Sequence, residues 1–291
     1  MAGAVGCLAR MGMAASGTAD TFFDFVSENL KLTQELPDLS GFRGLRGRPS
    51  ERVREVARRV GGPIVFHPTP GDLVTLLPRI LGAAAVGTTF AVAETIPSFI
   101  VTIDRVIKVP TYTGCYVNRA TFRGSENSPM ELTLDIIGTD ESVGAAGSFP
   151  AISVSDATVP YVFSDLALVI NSVTYACKTW ELTVDNALEP QFFNSLTMTR
   201  ANATDRIITV TTQLPYGDAS AAYGLTQTGV ACTATFTNGG VSCLFTTPAV
   251  SFPKDSPVVS NTRGEIFLNL TGVARRSGST AELTITNDST P

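Results

Sequence analysis

The sequence predicts a mostly β fold with a few helices, organised as two tandem β-sandwich or split-barrel domains, each flanked by a helix. Three observations support this class. Apolar and polar residues alternate with period two over most of the chain, only two segments show helical periodicity, and the same landmarks recur in both halves. The chain has 291 residues, 44% of them hydrophobic and 16% charged, so it can build two cores of ordinary size.

Antiparallel strands with one wet face are predicted wherever Thr, Val and Ile alternate with other residues. MELTLDII (130–137) places its aliphatic and its polar side chains on opposite faces, and EIFLNLTGV (265–273) alternates in the same way. ATFTNGGVSCLF (234–245) is typical of a hairpin that turns at residues 238–240. Such segments account for most of the predicted structure.

Helices are predicted in two segments of the first half. In PSERVREVARRVGG (49–62), Ser50 can cap a helix whose apolar residues recur at i, i+3, i+4 and i+7, and the glycine pair would end it. In PGDLVTLLPRILGA (70–83), four aliphatic residues form one stripe. Pro78 would shorten or kink this second helix.

Four landmarks recur in the same order in the two halves. They match FDFVSEN with WELTVDN, IVFHPTPGDLVTLL with VTTQLPYGDASAAY, PSFIVTIDRV (97–106) with SCLFTTPAVSF (242–252), and MELTLDIIG with EIFLNLTGV. Alternating sequence resembles itself, so coincidence is the competing interpretation, but the shared order favours duplication. We therefore expect one domain at 1–145 and a second at 146–291, joined in the Gly- and Ser-rich stretch 138–150. Residues 1–20 could form an extended arm.

The charge distribution is uneven. The net charge is −5, yet residues 41–60 hold seven Arg and two Glu. An acidic chain does not favour a general grip on nucleic acid, which needs clustered cations. No aromatic residue is interleaved with the helical part of the basic segment to stack bases, so a solvated helix face is favoured over phosphate contact there.

The sequence offers no recognisable catalytic, metal or nucleotide site. His67 is the only histidine and sits between Phe66 and Pro68, where a structural role is favoured over catalysis. The five cysteines include no C-x-x-C pair, which argues against a zinc ribbon and a disulfide framework. Carboxylate pairs such as Asp185 with Glu189 are more typical of the wet face of a sheet than of acid–base chemistry. We expect neither an enzyme nor a cofactor.

Membrane and export signals are also weak. The apolar run 81–93 is shorter than a membrane span and is diluted by Gly and Thr. The first 20 residues lack a basic region and a continuous apolar region, so they make a poor signal peptide. The protein is expected to stay where it is made.

The pattern resembles the tail tube proteins of long-tailed, siphovirus-type bacteriophages. The resemblance spans about residues 20–285 and rests on three stretches, which are PYVFSDLALVINSVTYACKTWELTVDNALEP (160–190), RANATDRIITVTTQLPYGD (200–218) and RGRPSERVREVARRVGGPIVFHPTPGDLVTLLPRILG (46–82). It implies a structural virion protein whose subunits close a ring, with rings stacked into a tube that conducts DNA from the capsid. A single tube domain is usually shorter than this chain, so the second half is interpreted as a second tube domain.

The resemblance also implies a location and partners. The protein would assemble in the host cytoplasm into the virion tail. Its partners would be other copies of itself, the tape measure protein and DNA in the lumen, and the tail terminator and distal tail proteins at the ends. With two domains a chain, the ring would hold three chains as a pseudo-hexamer rather than six.

Two sets of charged residues are the candidate site residues. If the polar strand faces line the channel, their carboxylates repel DNA and let it slide. The candidate lumen residues are Glu131, Asp135, Glu181, Asp185 and Glu265. The basic segment should lie outside the bore, between stacked rings or at the outer wall. The candidate inter-ring residues are Arg43, Arg46, Arg48, Arg52, Arg54, Arg58 and Arg59.

Two other functions fit a β-rich ring-forming chain. A tail terminator or neck ring protein would share the fold but cap a tube without polymerising. A β-rich surface module that binds carbohydrate or host receptors would be expected to carry aromatic clusters on its loops, whereas the single Trp180 lies inside a predicted strand.

Overall fold

The computed structural model describes the chain except for residues 1–4, 40, 42–43, 45, 48–49, 153–158, 218–221, 223, 225–228, 255, 258, 260–263 and 290–291. The described residues form twenty strands, one α-helix and three short 3-10 turns. The helix is α1 (Pro70–Leu81), and the turns are Gly6–Leu8, Ser50–Arg52 and Phe163–Asp165.

The strands divide evenly between the two halves of the chain. The first half contains β1 (Arg10–Ala14), β2 (Thr21–Phe23), β3 (Ser27–Glu28), β4 (Lys31–Glu35), β5 (Ala57–Phe66), β6 (Thr89–Ala91), β7 (Phe99–Asp104), β8 (Lys108–Ser125), β9 (Glu131–Gly138) and β10 (Asp140–Ala145). The second half contains β11 (Leu166–Ile170), β12 (Val173–Tyr175), β13 (Thr179–Asp185), β14 (Leu188–Gln191), β15 (Arg200–Ala203), β16 (Ile207–Pro215), β17 (Val230–Asn238), β18 (Val241–Ser251), β19 (Phe267–Arg275) and β20 (Thr284–Asp288).

Seven antiparallel strands form the central sheet, in the order β4, β5, β9, β8, β13, β16 and β19. One outer sheet has the order β2, β1, β7, β8 and β10. The other has the order β12, β11, β17, β18, β20 and β6. The sheets do not close into a barrel. The mostly β, sandwich-like class predicted from the sequence is confirmed.

Strand β8 belongs to two sheets. Residues 108–113 lie between β7 and β10, and residues 119–125 lie between β9 and β13. The strand changes sheet at Gly114, whose φ of +58° is easily adopted only by glycine. One long strand therefore connects an outer sheet of the first half to strand β13 of the second half.

The two halves repeat one set of strand pairings. In the first half β1 pairs with β2 and β7, β8 with β7, β9 and β10, and β5 with β4 and β9. In the second half β11 pairs with β12 and β17, β18 with β17, β19 and β20, and β16 with β13 and β19. Two more pairings join the halves, β8 with β13 and β6 with β20. We call strands in matching positions counterparts, so β4 and β13 are counterparts, as are β10 and β20.

The core lies between the sheets and is rich in aromatic rings. The ring centroid of Trp180 in β13 lies 5.4 Å from that of Phe236 and 5.2 Å from that of Phe245. The Phe245 centroid lies 5.0 Å from that of Phe122 in β8. Their edge-to-face and tilted geometry adds to the burial of these large side chains. Residues from both halves thus share one core.

Helix α1 forms as the sequence predicts. Thr69 and Asp72 make a capping box, in which the Asp72 amide donates to the Thr69 hydroxyl and the Thr69 amide donates to the Asp72 carboxylate. The predicted stripe, Leu73, Leu76, Leu77 and Ile80, is buried. The helix continues through Pro78 and ends at Gly82, whose amide donates to the Pro78 carbonyl.

The predicted helix at 49–62 is wrong. The segment makes only the turn Ser50–Arg52 and then enters β5 between β4 and β9. Val53 and Val56, half of the predicted apolar stripe, are 49% and 45% exposed. The glycine pair lies inside the strand, where a side chain at Gly62 would collide with the Asn29 carbonyl. Sheet pairing overrides the helical pattern because Val60, Ile64 and Phe66 bury with a two-residue period instead.

Two expectations about the repeat need correction, and a third observation concerns the join. Residues 97–106 and 242–252 form β7 and β18, but the counterpart of β7 by pairing is β17. The Asn29 amide donates to the Pro63 carbonyl, so Asn29 lies opposite the middle of β5. Asn186 instead follows the last residue pair between β13 and β16, so the two asparagines are not counterparts. The expected join at 138–150 contains β10. The matches of β5 with β16 and of β9 with β19 agree with the pairing.

Two further expectations concern the chain start and the second flanking helix. Residues 10–14, within the segment that could form an extended arm, make the buried strand β1. A helix after Gly217 would fall on residues 218–228, most of which lie outside the described residues. No helix in the described part of the chain has the length and hydrophobicity to span a membrane.

Candidate functional site

The outward face of the central sheet carries an ordered set of polar residues on β9, β8 and β13. The register aligns Asp135, Arg119 and Asp185 in one row across the three strands. The next row aligns Thr133, Thr121 and Thr183, and the third aligns Glu131, Arg123 and Glu181. We call these nine residues the polar rows. Four carboxylates surround two guanidinium groups, which gives the rows a charge of −2.

The first charged row is held by direct contacts. Arg119 donates from Nε and Nη2 to Asp185 Oδ2 at 3.1 and 2.8 Å. These hydrogen bonds, with the attraction of the carboxylate, raise the pKa of Arg119. The other carboxylate oxygen of Asp185 accepts the Ala187 amide at 2.9 Å. The row therefore bridges the strand pair that joins the two halves.

The third row is aligned but less tied. Arg123 lies opposite both Glu131 and Glu181 in the register, and its side chain is exposed. None of the ion pairs found among the described residues includes Arg123. The third row therefore has the same acid–base–acid order as the first row, without its direct contacts.

Beyond β13 the same face is mostly uncharged, except for the exposed Arg275 at the end of β19. The Thr211 and Thr271 hydroxyls lie 3.4 Å apart, and the Gln213 amide donates to Asn269 at 3.0 Å. At the opposite edge, β4 and β5 add Lys31, Glu35 and Arg59, with Arg59 3.1 Å from Glu35. The excess of acid is thus concentrated on the three central strands.

Four of the five predicted lumen residues lie together in the polar rows. The exception is Glu265, which is exposed just before β19. The sequence reasoning missed Arg119 and Arg123. Their signal was present in RATFRGS (119–125), where two arginines and a threonine alternate with buried residues in the same period as the acids.

The predicted inter-ring arginines separate into two groups. Arg46, Arg52 and Arg54 are exposed, and no ion pair in the described residues involves them. Arg58 and Arg59 belong to β5 and are paired within the chain. Arg58 makes a two-pronged contact of 2.8 and 2.9 Å to Glu55, which lowers the pKa of that carboxyl, and lies 3.5 Å from Asp140. Arg43 and Arg48 lie outside the described residues.

Each half has a long arm between counterpart strands. The first arm, residues 36–56, links β4 to β5, and the second arm, residues 186–206, links β13 to β16 and contains the β14–β15 hairpin. The second arm crosses to the first half, where the Arg58 amide donates to the Leu196 carbonyl at 2.8 Å and Arg59 lies 5.3 Å from the centre of the Phe192 ring. It also leaves Phe193 exposed.

Two buried amides fasten helix α1 to the second half. The Asn186 amide nitrogen donates to the Ile80 and Val117 carbonyls, each at 3.0 Å. The Asn287 amide nitrogen donates to the Pro70 carbonyl at 2.8 Å. Both side chains are 2% exposed. The second half therefore hydrogen-bonds to helix α1 of the first half near both ends of the helix.

Groups that could support catalysis are buried or scattered. Burial raises the pKa of the Cys115 and Cys232 thiols to about 12 and that of Cys177 to about 11, which suppresses the reactive thiolate. The Nδ1 atom of His67 is buried without a hydrogen-bond partner. Within the described ranges, no group of three or more His, Cys, Asp or Glu residues could hold a metal ion.

Comparison with known proteins identifies a family for this chain. The family model described as phage tail tube protein matches residues 8–287, nearly the whole chain. No curated protein matches the chain significantly. The matched range includes all the strands described above, from β1 to all but the last residue of β20.

Proposed function

Because this chain belongs to the phage tail tube protein family, we propose that it polymerises as stacked rings into the tail tube, the conduit for DNA ejection. Its role is structural rather than catalytic. It assembles in the host cytoplasm around the tape measure protein, and the finished tube of the virion tail meets a tail terminator at one end and distal tail proteins at the other.

The polar rows are proposed to line the bore. Their charge of −2 and their small threonine side chains oppose a lasting grip on phosphate, which needs clustered cations. No aromatic side chain lies in the rows to stack a base. DNA can therefore slide along this face, because repulsion keeps it hydrated and centred.

Three chains are proposed to form each ring. The observation that supports this count is the repeated set of strand pairings, which lets each half occupy one of six equivalent wall positions. Heterologous contacts close into a ring when the rotation between successive units divides the circle, and here that unit is half a chain. Residues 1–145 and 146–291 would then be two wall-forming domains.

The arginines of the first arm are proposed to contact a neighbouring ring. Arg46, Arg52 and Arg54 are exposed charges of the first arm, which also carries the exposed apolar residues Leu39 and Val53. Charges of this kind fix the register and selectivity of a contact more than its strength. Arg58 and Arg59 are assigned instead to fastening the second arm.

Electron microscopy of concentrated purified protein tests this function. We expect long tubes with threefold features outside and near-sixfold symmetry at the lumen. Single rings that never stack would favour a terminator or neck protein. A ring of six whole chains, with the second half outside the wall, would refute the trimer and the two-domain wall.

A further inference from the structure

The two strand pairings that join the halves leave two matching edges open. In the second half, β13 pairs with β8 and β20 pairs with β6, both across the junction. Their counterparts in the first half, β4 and β10, pair only with β5 and with β8 among the described residues. Each open edge is therefore the place where a second half would bind if the junction were repeated.

We infer that β4 and β10 form the docking surface for the second half of another copy of this chain, in the arrangement that β13 and β20 already make within one chain. This inference rests on the proposed function and adds the strands that close the ring. The occupant of both edges is the second half of that neighbouring copy.

The contact is heterologous, because a first half binds a second half. Such a contact cannot saturate in a two-fold dimer and continues until a ring or a helix forms. Open strand edges also favour this outcome, since unpaired N–H and C=O groups template the addition of a strand. A single intramolecular junction thus predicts the intermolecular one.

The arms support the same direction of assembly. The second arm lies over the start of β5 in the first half, through the Arg58–Leu196 backbone hydrogen bond. Repeating that contact places the first arm over the start of β16 in the neighbouring copy. Ile207, the first residue of β16, is 50% exposed, and the first arm carries the exposed apolar residues Leu36, Leu39, Val53 and Val56. Apolar surface on both sides is what such a contact would bury.

The amides at the β4 edge can be identified. The Asn29 amide donates to the Pro63 carbonyl at 2.9 Å, and one register runs from Ser27 to Glu35 along β5. Since successive residues of an antiparallel pair face alternately toward and away from the partner strand, the amides of Leu32 and Gln34 point to the open edge. Proline at Gln34 would remove an outward donor without breaking the β4–β5 pairing.

A matched control exists on β12, an edge strand to which the inference assigns no contact. Strand β12 and its counterpart β2 are both edge strands, so neither strand takes part in the pairing between the halves. A two-residue turn with positive φ at Asn171 and Ser172 closes β11 and β12, so Ile170 and Val173 form the hydrogen-bonded pair and the Thr174 amide points outward. Thr174→Pro therefore repeats the chemical change at a site that should not matter.

The experiment compares the wild type, Gln34→Pro and Thr174→Pro by sedimentation and electron microscopy at equal concentration. We expect Gln34→Pro to weaken association at each junction roughly tenfold to a hundredfold, because a carbonyl of the added strand loses its donor and the proline ring blocks its approach. Thr174→Pro should assemble like the wild type. Circular dichroism confirms that each monomer is folded.

Hydrogen exchange gives a second readout that needs no variant. In assembled wild-type protein, the amides of Leu32 and Gln34 should exchange more slowly than in the monomer, while that of Thr174 should not change. Wild-type protein that forms neither rings nor tubes would contradict the proposed function itself. Tubes formed equally well by Gln34→Pro, equal loss in both proline variants, or unchanged exchange at β4 would overturn the docking surface alone.

Discussion

Replacing Asn186 by alanine tests how firmly the second half holds helix α1. The change removes two hydrogen bonds, to the Ile80 and Val117 carbonyls, from a site that is 2% exposed. Each buried carbonyl left without a donor costs about 1–3 kcal/mol. Loss of the Asn186 side-chain oxygen, which has no partner, offsets part of this. We expect the free energy of unfolding to fall by about 2–4 kcal/mol.

Asn287→Ala is the matched comparison, because that amide makes one bond to the same helix and also has an oxygen without a partner. It should cost about half as much. Asn186→Asp should cost more than Asn186→Ala, since it places a carboxylate against two carbonyl oxygens.

Urea unfolding of the three variants in the Gln34→Pro background measures these costs without a contribution from assembly. For a chain of this size, the Asn186→Ala loss corresponds to a fall in melting temperature of about 4–8 °C. A cost for Asn186→Ala below that of Asn287→Ala would refute the reasoning that these amide hydrogen bonds to carbonyls of the first half hold the halves together.

Three other predictions address the charged surfaces and the thiols. Reversing Arg52 and Arg54 to Glu should leave rings intact and shorten tubes at low salt. The melting temperature should not change, because neither side chain makes an ion pair within the described residues; tubes of normal length would contradict this prediction. Changing Glu131 and Glu181 to Lys turns the charge of the polar rows from −2 to +2. In co-sedimentation, tubes of this variant should therefore retain DNA at low salt and release it at high salt. DNA retention no greater than that of the wild type would count against a lumen position. At pH 8 only the exposed Cys7 should be alkylated quickly, because burial raises the pKa of the other four thiols; mass spectrometry showing a second rapidly labelled cysteine would oppose this. Those four are Cys115, Cys177, Cys232 and Cys243.

The elements that sequence could predict are those with a local signal. Helix α1 has a capping box, a single apolar stripe and a terminal glycine, and no alternative period fits it. The segment 49–62 supports two periods at once, and the choice depends on β4 and β9, which lie far away in sequence. Local pattern cannot decide that competition, because the burial that settles it is tertiary.

The candidate site was predicted in part for the same reason. Alternation shows that Glu131, Asp135, Glu181 and Asp185 share the polar side of their strands. Which strands are neighbours is a non-local fact, so the rows, and the placement of Arg119 between two of these acids, could not be predicted. The pairing of Arg58 with Glu55 and of Arg59 with Glu35 could not be predicted, because a charged residue in a supposed helix face has no visible partner in the sequence.

In the proposed ring of three chains, the pairing of β8 with β13 would change the entropy of ring closure. A ring of six separate domains needs five bimolecular encounters, each of which costs about 4–15 kcal/mol of translational and rotational freedom. Where that strand pair forms inside the chain, the two wall positions meet at the effective concentration set by a short tether, and a ring of three chains needs only two encounters. Half of the lateral contacts are then complete as soon as each chain has folded, so ring formation depends less steeply on the concentration of free protein.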